Sequence, residues 1–531
     1  MESKPQKQHA STIARREFLK LTGLMGTSVV LTGVRAPWAF AQNRYGGTLR
    51  ISVSRGLKTL SPIMHISGPE WMATKWMYNN LTRLNHRREV VPDLAETWSA
   101  NDNATVWTFR LKKGVRFHSG KELTAEDVVA TLMTVIKPEV AAPYAAELGP
   151  IKAAEAVDPY TVKITLSSPY ADFPVSMTVP SARIIEKEAL EGDLDLLASQ
   201  EFGSGPFRLK EFVPGDHIIV ERYDKYFKTG FPYLDRVELR VLPEPAAEVI
   251  ALQNKETDLI WEVPSELFAT VATIPGVDGL QVAGGTFSNV ILPSDKPPFS
   301  DNRVREALKY TVDRQLMLAA VVGGRGEIGH DHPVSSAYRF FHQLPTRGRD
   351  IAKARQLLKE AGYADGLSFK LFVANKPAIR EQIAVVLKEM AKPAGFAIEV
   401  ELVSYDRYLA QIWNKGVPYV GFYGTRPTAD AILMKLFHPE FGIDEGRWGA
   451  SHRQHLQLLE AARATADEEK RRSLYARFQE IAQQEGPFVI PLFRSELSAK
   501  WNYVKDYTMN PSVYEVDLEG VWLGENAPKQ Q

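Results

Sequence analysis

The sequence predicts an α/β fold, and three observations carry that reading. Short segments alternate apolar with polar residues, others repeat apolar residues every three to four positions, and in the later part helical patterns run directly into strand patterns. Among the alternating segments, Trp107, Phe109 and Leu111 face away from Thr108 and Arg110, and Val162, Ile164 and Leu166 face away from Lys163 and Thr165. Val237 to Val241 repeats the pattern until Pro243 and Pro245 break it. Thr124 is an N-cap before Ala125-Glu126-Asp127, and Val128, Leu132 and Val135 then share a face. Asp350 caps a helix with Ile351, Ala354, Leu357 and Leu358 inward and Gly362 as its stop. Ile379, Ile383, Val386, Leu387 and Met390 form another helix, closed by Pro393 and followed by the strand Ile398 to Leu402.

The N-terminus carries an export signature. Ala14-Arg15-Arg16-Glu17-Phe18-Leu19-Lys20 is of the twin-arginine kind, with Ala14 where Ser or Thr is usual. The apolar stretch Leu21 to Val34 is diluted by Gly23, Gly26, Thr27 and Gly33, and falls short of the roughly 20 residues that span a bilayer. Ala39-Phe40-Ala41 is a small-x-small cleavage site, so residues 1–41 read as a signal peptide and Gln42 opens the mature chain. No membrane anchor is expected after cleavage.

Composition narrows the function classes. Loss of residues 1–41 turns 64 basic and 64 acidic residues into 58 and 62, a balance that argues against nucleic acid as a partner. The 490 mature residues suggest roughly three domains. Cysteine is absent, which excludes disulfides, thiolate nucleophiles, iron–sulfur clusters and a lipid-modified N-terminal cysteine.

Catalytic patterns are missing as well. There is no Gly-x-Ser-x-Gly elbow, no His-Glu-x-x-His and no phosphate loop, because Glu122 follows Gly120-Lys121. Gly324, Gly326 and Gly329 spell a dinucleotide fingerprint, but they follow an expected helix from Arg303 to Val322, so they read as a flexible helix end. His438, Asp444, His452 and His455 are the one cluster able to ligate a metal; they, and His330 with His332 around Asp331, read as surface histidines, and no metal or cofactor is expected. Trp71, Trp76 and Tyr78 fit core packing plus one exposed ring, which makes Trp71 a candidate ligand contact.

Several segments, in order and at matching spacing, resemble the peptide-binding family of periplasmic solute-binding proteins of ABC importers, the group of dipeptide- and oligopeptide-binding proteins. They are Leu94 to Trp98, Trp107 to Gly120 continuing through Leu123 to Val128, Gly203-Ser204-Gly205-Pro206-Phe207, Val304 to Leu308 with Asp313-Arg314, and Ala354 to Tyr363. The resemblance implies a two-lobed periplasmic-binding-protein fold of the large, peptide-binding type with an additional inserted domain. It places lobe I at 44–82, 203–283 and 490–525, the inserted domain at 83–202 and lobe II at 284–489. It further implies a monomeric periplasmic receptor, not an enzyme, that closes on a peptide or peptide-like solute and delivers it to permease and ATPase subunits.

The family pairs a peptide's α-amino group with an aspartate three residues after a tryptophan. Here Tyr423 takes the tryptophan position and Arg426 the aspartate position, with Asp430 following. A guanidinium cannot pair with an ammonium group, but it holds a carboxylate or phosphate through two parallel hydrogen bonds. Tyr423, Arg426, Asp430 and Trp71 are therefore the expected ligand contacts, with Arg426 and Asp430 reading opposite charges. The departure keeps two other readings open: a receptor for a nickel-type metal chelate or another anionic solute, and, from a different class, a twin-arginine-exported enzyme.

Replacing Arg15 and Arg16 together by Lys keeps the charge and removes the paired planar guanidinium groups. Uncleaved precursor is expected to collect in the cytoplasm; immunoblots of fractionated cells showing normal amounts of mature protein outside it would refute the export reading.

Overall fold

Thr48–Val53 is buried at five of its six positions, the pattern of a strand covered on both faces. Its neighbours explain why: Arg236–Val241 and Leu259–Ile260 both pair with it in parallel. These strands are the centre of an eight-stranded sheet that also holds Phe207–Val213, His217–Arg222, Val277–Phe287, Leu492–Trp501 and the short Gly326–Ile328. The computed structural model describes residues 44–511 and 516–528; the export signature with Arg15 and Arg16, and the cleavage site at Ala39 and Ala41, lie outside the described residues.

A second sheet of five strands runs in the order Phe396–Val403, Leu367–Ala374, Tyr419–Val420, Val290–Ile291 and Phe488–Val489. Leu367–Ala374 pairs in parallel with Phe396–Val403 and with Tyr419, so each large sheet has a parallel centre. The third sheet, Ala95–Ala100, Val106–Leu111, Thr161–Leu166 and Ile151–Asp158, is antiparallel throughout. Its Val106–Leu111 and Thr161–Leu166 strands alternate between deeper and shallower positions as their sequence does.

The architecture is two-lobed. The apolar core of the third sheet is continuous with that of the first: Phe109, Leu132 and Phe173 belong to one cluster with Leu49, Trp76 and Leu239. The second sheet keeps separate cores, around Leu433 and Phe478 on one side and Leu371 and Leu387 on the other. Burial thus welds the inserted sheet to the first lobe and leaves the second lobe to itself. The chain passes between the lobes at Ser288-Asn289, after Val277–Phe287, and returns at Ile490-Pro491, before Leu492–Trp501. These two crossings lie side by side, since Phe287 pairs with Phe493 and Val290 with Val489.

Local chemistry explains the segments read from sequence. Thr124 N donates to Asp127 Oδ2 at 2.8 Å at the start of the Ala125–Val135 helix, and Lys353 N donates to Asp350 Oδ1 at 2.8 Å. His118 N donates to the carbonyl of Gly203 at 2.9 Å, and its ring Nε2 lies 2.9 Å from the carbonyl of Gly205. Gly205 must be glycine, because a Cβ there would lie 2.4 Å from the carbonyl carbon of Met77. The Phe117-His118 and Gly-Ser-Gly-Pro signatures are therefore one clamp between the first lobe and the inserted sheet.

Two expectations are corrected. Arg303 to Val322 is not one helix but two, Asn302–Thr311 and Arg314–Val322, because Val312 is extended and Asp313 starts the second by accepting from Leu316 N at 3.0 Å. The glycines that follow are not a flexible helix end: Gly326–Ile328 is a strand, and a Cβ on Gly326 or Gly329 would lie 2.2 Å from the Phe493 carbonyl oxygen or 2.1 Å from that of Ile490. Close approach to the crossing strand is what selects glycine there.

The Asn302–Thr311 helix also supplies donors to a neighbour's end. Arg305 Nη2 donates to the Glu485 carbonyl at 2.7 Å, and Lys309 Nζ to those of Gln483 and Gly486 at 3.0 and 2.9 Å. These carbonyls end the Glu468–Glu485 helix and have no intrahelical partner. Burial pulls the Lys309 ammonium down to about 7, against the attraction of Asp331. Lys309→Met leaves the Gly486 carbonyl without its side-chain donor and the Gln483 carbonyl with Arg347 Nη2 alone at 3.1 Å, so denaturant unfolding at neutral pH should show a loss of about 1–3 kcal/mol. Because the folded state holds fewer protons than the unfolded one from pH 7 up to the ordinary lysine range, this group makes stability rise with pH in that window. The rise should flatten in the variant; an unchanged slope would show that Lys309 does not set it.

Candidate functional site

In sheets with parallel strands, ligands gather at the carboxyl ends. In the first lobe those ends deliver Ser54-Arg55 after Thr48–Val53, and Trp261-Glu262 after Leu259–Ile260. In the second they deliver the segment 421–428 after Tyr419–Val420. The crossing strands lie between the two sets. Phe287 and Tyr423 exchange backbone hydrogen bonds of 3.0 and 2.9 Å, and Gly285 N donates to Thr425 Oγ1 at 2.9 Å.

The first-lobe wall is a chain of charges. Arg55 pairs with Glu262, Arg494 Nη2 lies 3.1 Å from the other Glu262 oxygen and 3.7 Å from Glu496, and Thr286 Oγ1 donates to Glu496 at 2.9 Å. Arg55 stands 5.9 Å from the Trp261 ring and Arg494 6.0 Å from the Phe422 ring, within cation–π range. Burial pushes the Glu262 carboxyl up, but Arg494 and Arg55 outweigh it and leave it below its ordinary range. Glu496 is raised, because burial there exceeds the pull of Arg494.

A second group of charges comes from the inserted domain and the second lobe. Arg426 Nη1 lies 3.1 Å from Glu147 Oε1, and Arg426 N donates to Tyr338 Oη at 2.9 Å. Arg88 sits 5.4 Å from the Tyr338 ring and donates to the carbonyls of Arg426 and Pro427 at 3.2 and 3.0 Å. The short helix Ala145–Leu148 brings Trp71 into the same neighbourhood: it carries Glu147, and its N-cap Tyr144 meets the Trp71 ring edge-on at 5.5 Å. Burial raises the Glu147 carboxyl despite Arg426 and Lys435.

The expected contacts thus divide. Arg426 and Trp71 meet around Tyr144 and Glu147. Tyr423 and Asp430 turn into the second lobe. The Tyr423 hydroxyl donates to buried Glu445 at 2.6 Å, beside equivalent bonds from Tyr419 at 2.6 Å and Asn289 at 2.9 Å. Asp430, in the first turn of the Ala429–Phe437 helix, is held by Arg463 at 2.5 Å and Tyr475 Oη at 3.1 Å, and burial pushes it up to about 6 against the pull of Arg463. The histidines are corrected too: His330, His332 and His438 are buried, not surface residues. His438 Nδ1 accepts from Glu440 N and Phe441 N at 3.1 Å, Asp444 accepts from Gly449 N at 2.7 Å, and His452 stacks on Trp448 at 5.0 Å with the His455 ring tilted against it at 5.2 Å. Among the described residues no three His, Asp or Glu side chains converge as a metal shell.

Sequence reasoning missed Arg55, Glu262, Arg494 and Glu147. The first two had a readable signal, a charged residue directly after an apolar strand run, as in Ile51-Ser52-Val53-Ser54-Arg55 and Leu259-Ile260-Trp261-Glu262. Arg494 and Glu147 had none, because only the fold brings them to the wall.

Known proteins can now be set beside this geometry. Residues 89–441 match the model of the bacterial extracellular solute-binding proteins, family 5. The chain is 27% identical to the glutathione-binding protein GsiB of Salmonella paratyphi A over 485 residues, covering 89% of this chain and 91% of that one. It is 26% identical to the oligopeptide-binding protein AppA of Bacillus subtilis over 477 residues, 84% of this chain and 86% of the relative. HbpA2 of Haemophilus parasuis superposes with a TM-score of 0.81 at 24% identity, covering 90% of this chain and all of the other.

Tyr423→Phe removes one donor from Glu445 and nothing from the cleft wall. A hydrogen bond to a buried charge contributes about 1.5–3 kcal/mol, so chemical denaturation should show a loss of that order while ligand affinity stays within twofold. Burial already raises Glu445, and the loss should deepen as pH climbs through the carboxyl's range. Weakened binding with unchanged stability would put Tyr423 back on the cleft wall.

Proposed function

This chain belongs to the bacterial extracellular solute-binding proteins, family 5, and from that premise we propose that it is the periplasmic substrate-binding component of an ABC importer for peptides or peptide-like solutes. The carrying observation is the cleft itself: two lobes, joined by two adjacent crossings, present charged and aromatic walls to each other at strand carboxyl ends. Such a site binds and encloses. Closure excludes water and strengthens each hydrogen bond and ion pair to the captured solute. The names of GsiB and AppA, for glutathione and oligopeptides, support a peptide-like solute.

Lobe I is assigned to 44–82, 203–283 and 490–525, the inserted domain to 83–202 and lobe II to 284–489; most strands of the three sheets fall within these bounds, while Val277–Phe287 carries the first sheet on to 287 and Gly326–Ile328 pairs in the first sheet from within 284–489. Arg426 and Trp71 serve as ligand contacts, and Tyr423 and Asp430 hold the loop and helix that present Arg426. The export signature in residues 1–41 supports delivery across the inner membrane. No helix among the described residues is long and apolar enough to cross a membrane. The partners are the permease and ATPase subunits, with the receptor acting as a monomer.

A ligand shifts an open–closed equilibrium only by its differential affinity for the two forms. Titration with di- to pentapeptides should therefore raise the melting temperature and shrink the radius of gyration in X-ray scattering together. If no peptide moves either while a nickel chelate moves both, the peptide assignment fails.

A further inference from the structure

The cleft's charges are layered. In each pair on its walls the guanidinium is the more exposed partner: Arg55 is 55% exposed against 25% for Glu262, Arg494 31% against 8% for Glu496, and Arg426 23% against 14% for Glu147. A solute entering between the lobes meets cations first and finds the carboxylates behind them. The cations stand in two groups carried by different lobes. Arg55 and Arg494 flank Glu262 on the first lobe, and Arg426 with Arg88 lines the second lobe's loop. Donors also remain: a guanidinium carries five N–H groups, and among the described residues the hydrogen bonds of Arg55 and Arg494 to carboxylates use only Nη2 of each. The carboxylates behind hold the forks in place, so an arriving anion meets a preorganised edge.

Building on the receptor reading, we infer that this cleft selects peptide-like solutes carrying two separated carboxylates, one taken by Arg55 and Arg494 and the other by the Arg426 wall. An α-amino group is not the main anchor. The acidic side chains nearby are already taken: Glu147 by Arg426, Glu262 by Arg55 and Arg494, and Asp430 by Arg463 and Tyr475. The aromatic faces of Trp261 and Phe422, beside the first pair of arginines, cover the apolar part of such a solute.

The test is calorimetry with four probes: trialanine, Ala-Glu-Ala, Ala-Glu-Ala amide and glutathione. The two free diacids, Ala-Glu-Ala and glutathione, should bind at least tenfold more tightly than trialanine or the amide. Raising sodium chloride from 50 to 500 mM should weaken the diacids and leave trialanine nearly unchanged, a readout that needs no variant. Arg55→Gln with Arg494→Gln should cut the preference for Ala-Glu-Ala over its amide to within threefold, with the melting temperature of the empty protein as a check on folding. Equal binding of all four probes would overturn the charge inference and leave the peptide receptor standing. A double variant that folds and keeps the full preference would also overturn it. If none of the four binds, the diacid inference falls, and the di- to pentapeptide titration decides the receptor reading separately.

Discussion

Everything the cleft does depends on how few strands tie the lobes together. Val277–Phe287 and Leu492–Trp501 pair along most of their length in the first sheet, and their continuations, Val290–Ile291 and Phe488–Val489, pair again in the second. Between them lie Ser288-Asn289 and Ile490-Pro491, four residues whose backbone is the junction. Two adjacent segments can bend as a unit without breaking either sheet, the geometry of a hinge closure. The same junction carries side chains to the walls, since Thr286, Arg494 and Glu496 sit just before or just after it. A change of lobe angle therefore moves the binding groups directly.

The inserted domain shares a continuous apolar core with the first lobe, so it moves with that lobe. Its contacts with the second lobe are of another kind. Arg426 meets Glu147, Arg471 meets Asp172 at 2.5 Å, Ala171 N donates to the Arg463 carbonyl at 2.8 Å, and Arg463 lies over the Tyr170 ring at 4.2 Å. Apolar burial holds what must stay together, and polar contacts line the seam that must part.

Much of the fold was legible because its signals are local. Thr124 and Asp350 cap helices as their side chains dictate, and the alternation in Trp107 to Leu111 survives as a half-covered strand. The break at Val312 was not legible, since Val304, Ala307, Leu308 and Met317 keep an apolar face running across it. Nor was the reason for Gly326 and Gly329, which lies in carbonyls of the crossing segment more than 150 positions away. The site was legible only in part. Arg426 and Trp71 come together around Tyr144 and Glu147 as the proposed ligand contacts, whereas Tyr423 and Asp430 spend their polar atoms on Glu445, Arg463 and Tyr475. A loop's sequence position does not say which way each side chain turns.

The seam also bears on why a receptor of this kind can wait open and still close on demand. Bringing Glu147 to Arg426 and Asp172 to Arg471 strips water from four charged groups, a cost that the attraction within each pair roughly offsets. Two apolar faces in the same place would gain about 25 cal/mol per Å² buried and hold the lobes shut without a ligand. Two unpaired charges would hold them apart. Near-balanced ion pairs do neither, so the lobe angle is left to the contents of the cleft. There Arg55, Arg494 and Arg426 are each already held by a carboxylate, so an arriving anion adds hydrogen bonds to preorganised guanidinium edges. The free energy of closure is then set by the solute, which is the condition for a receptor to report occupancy to its transporter by shape alone.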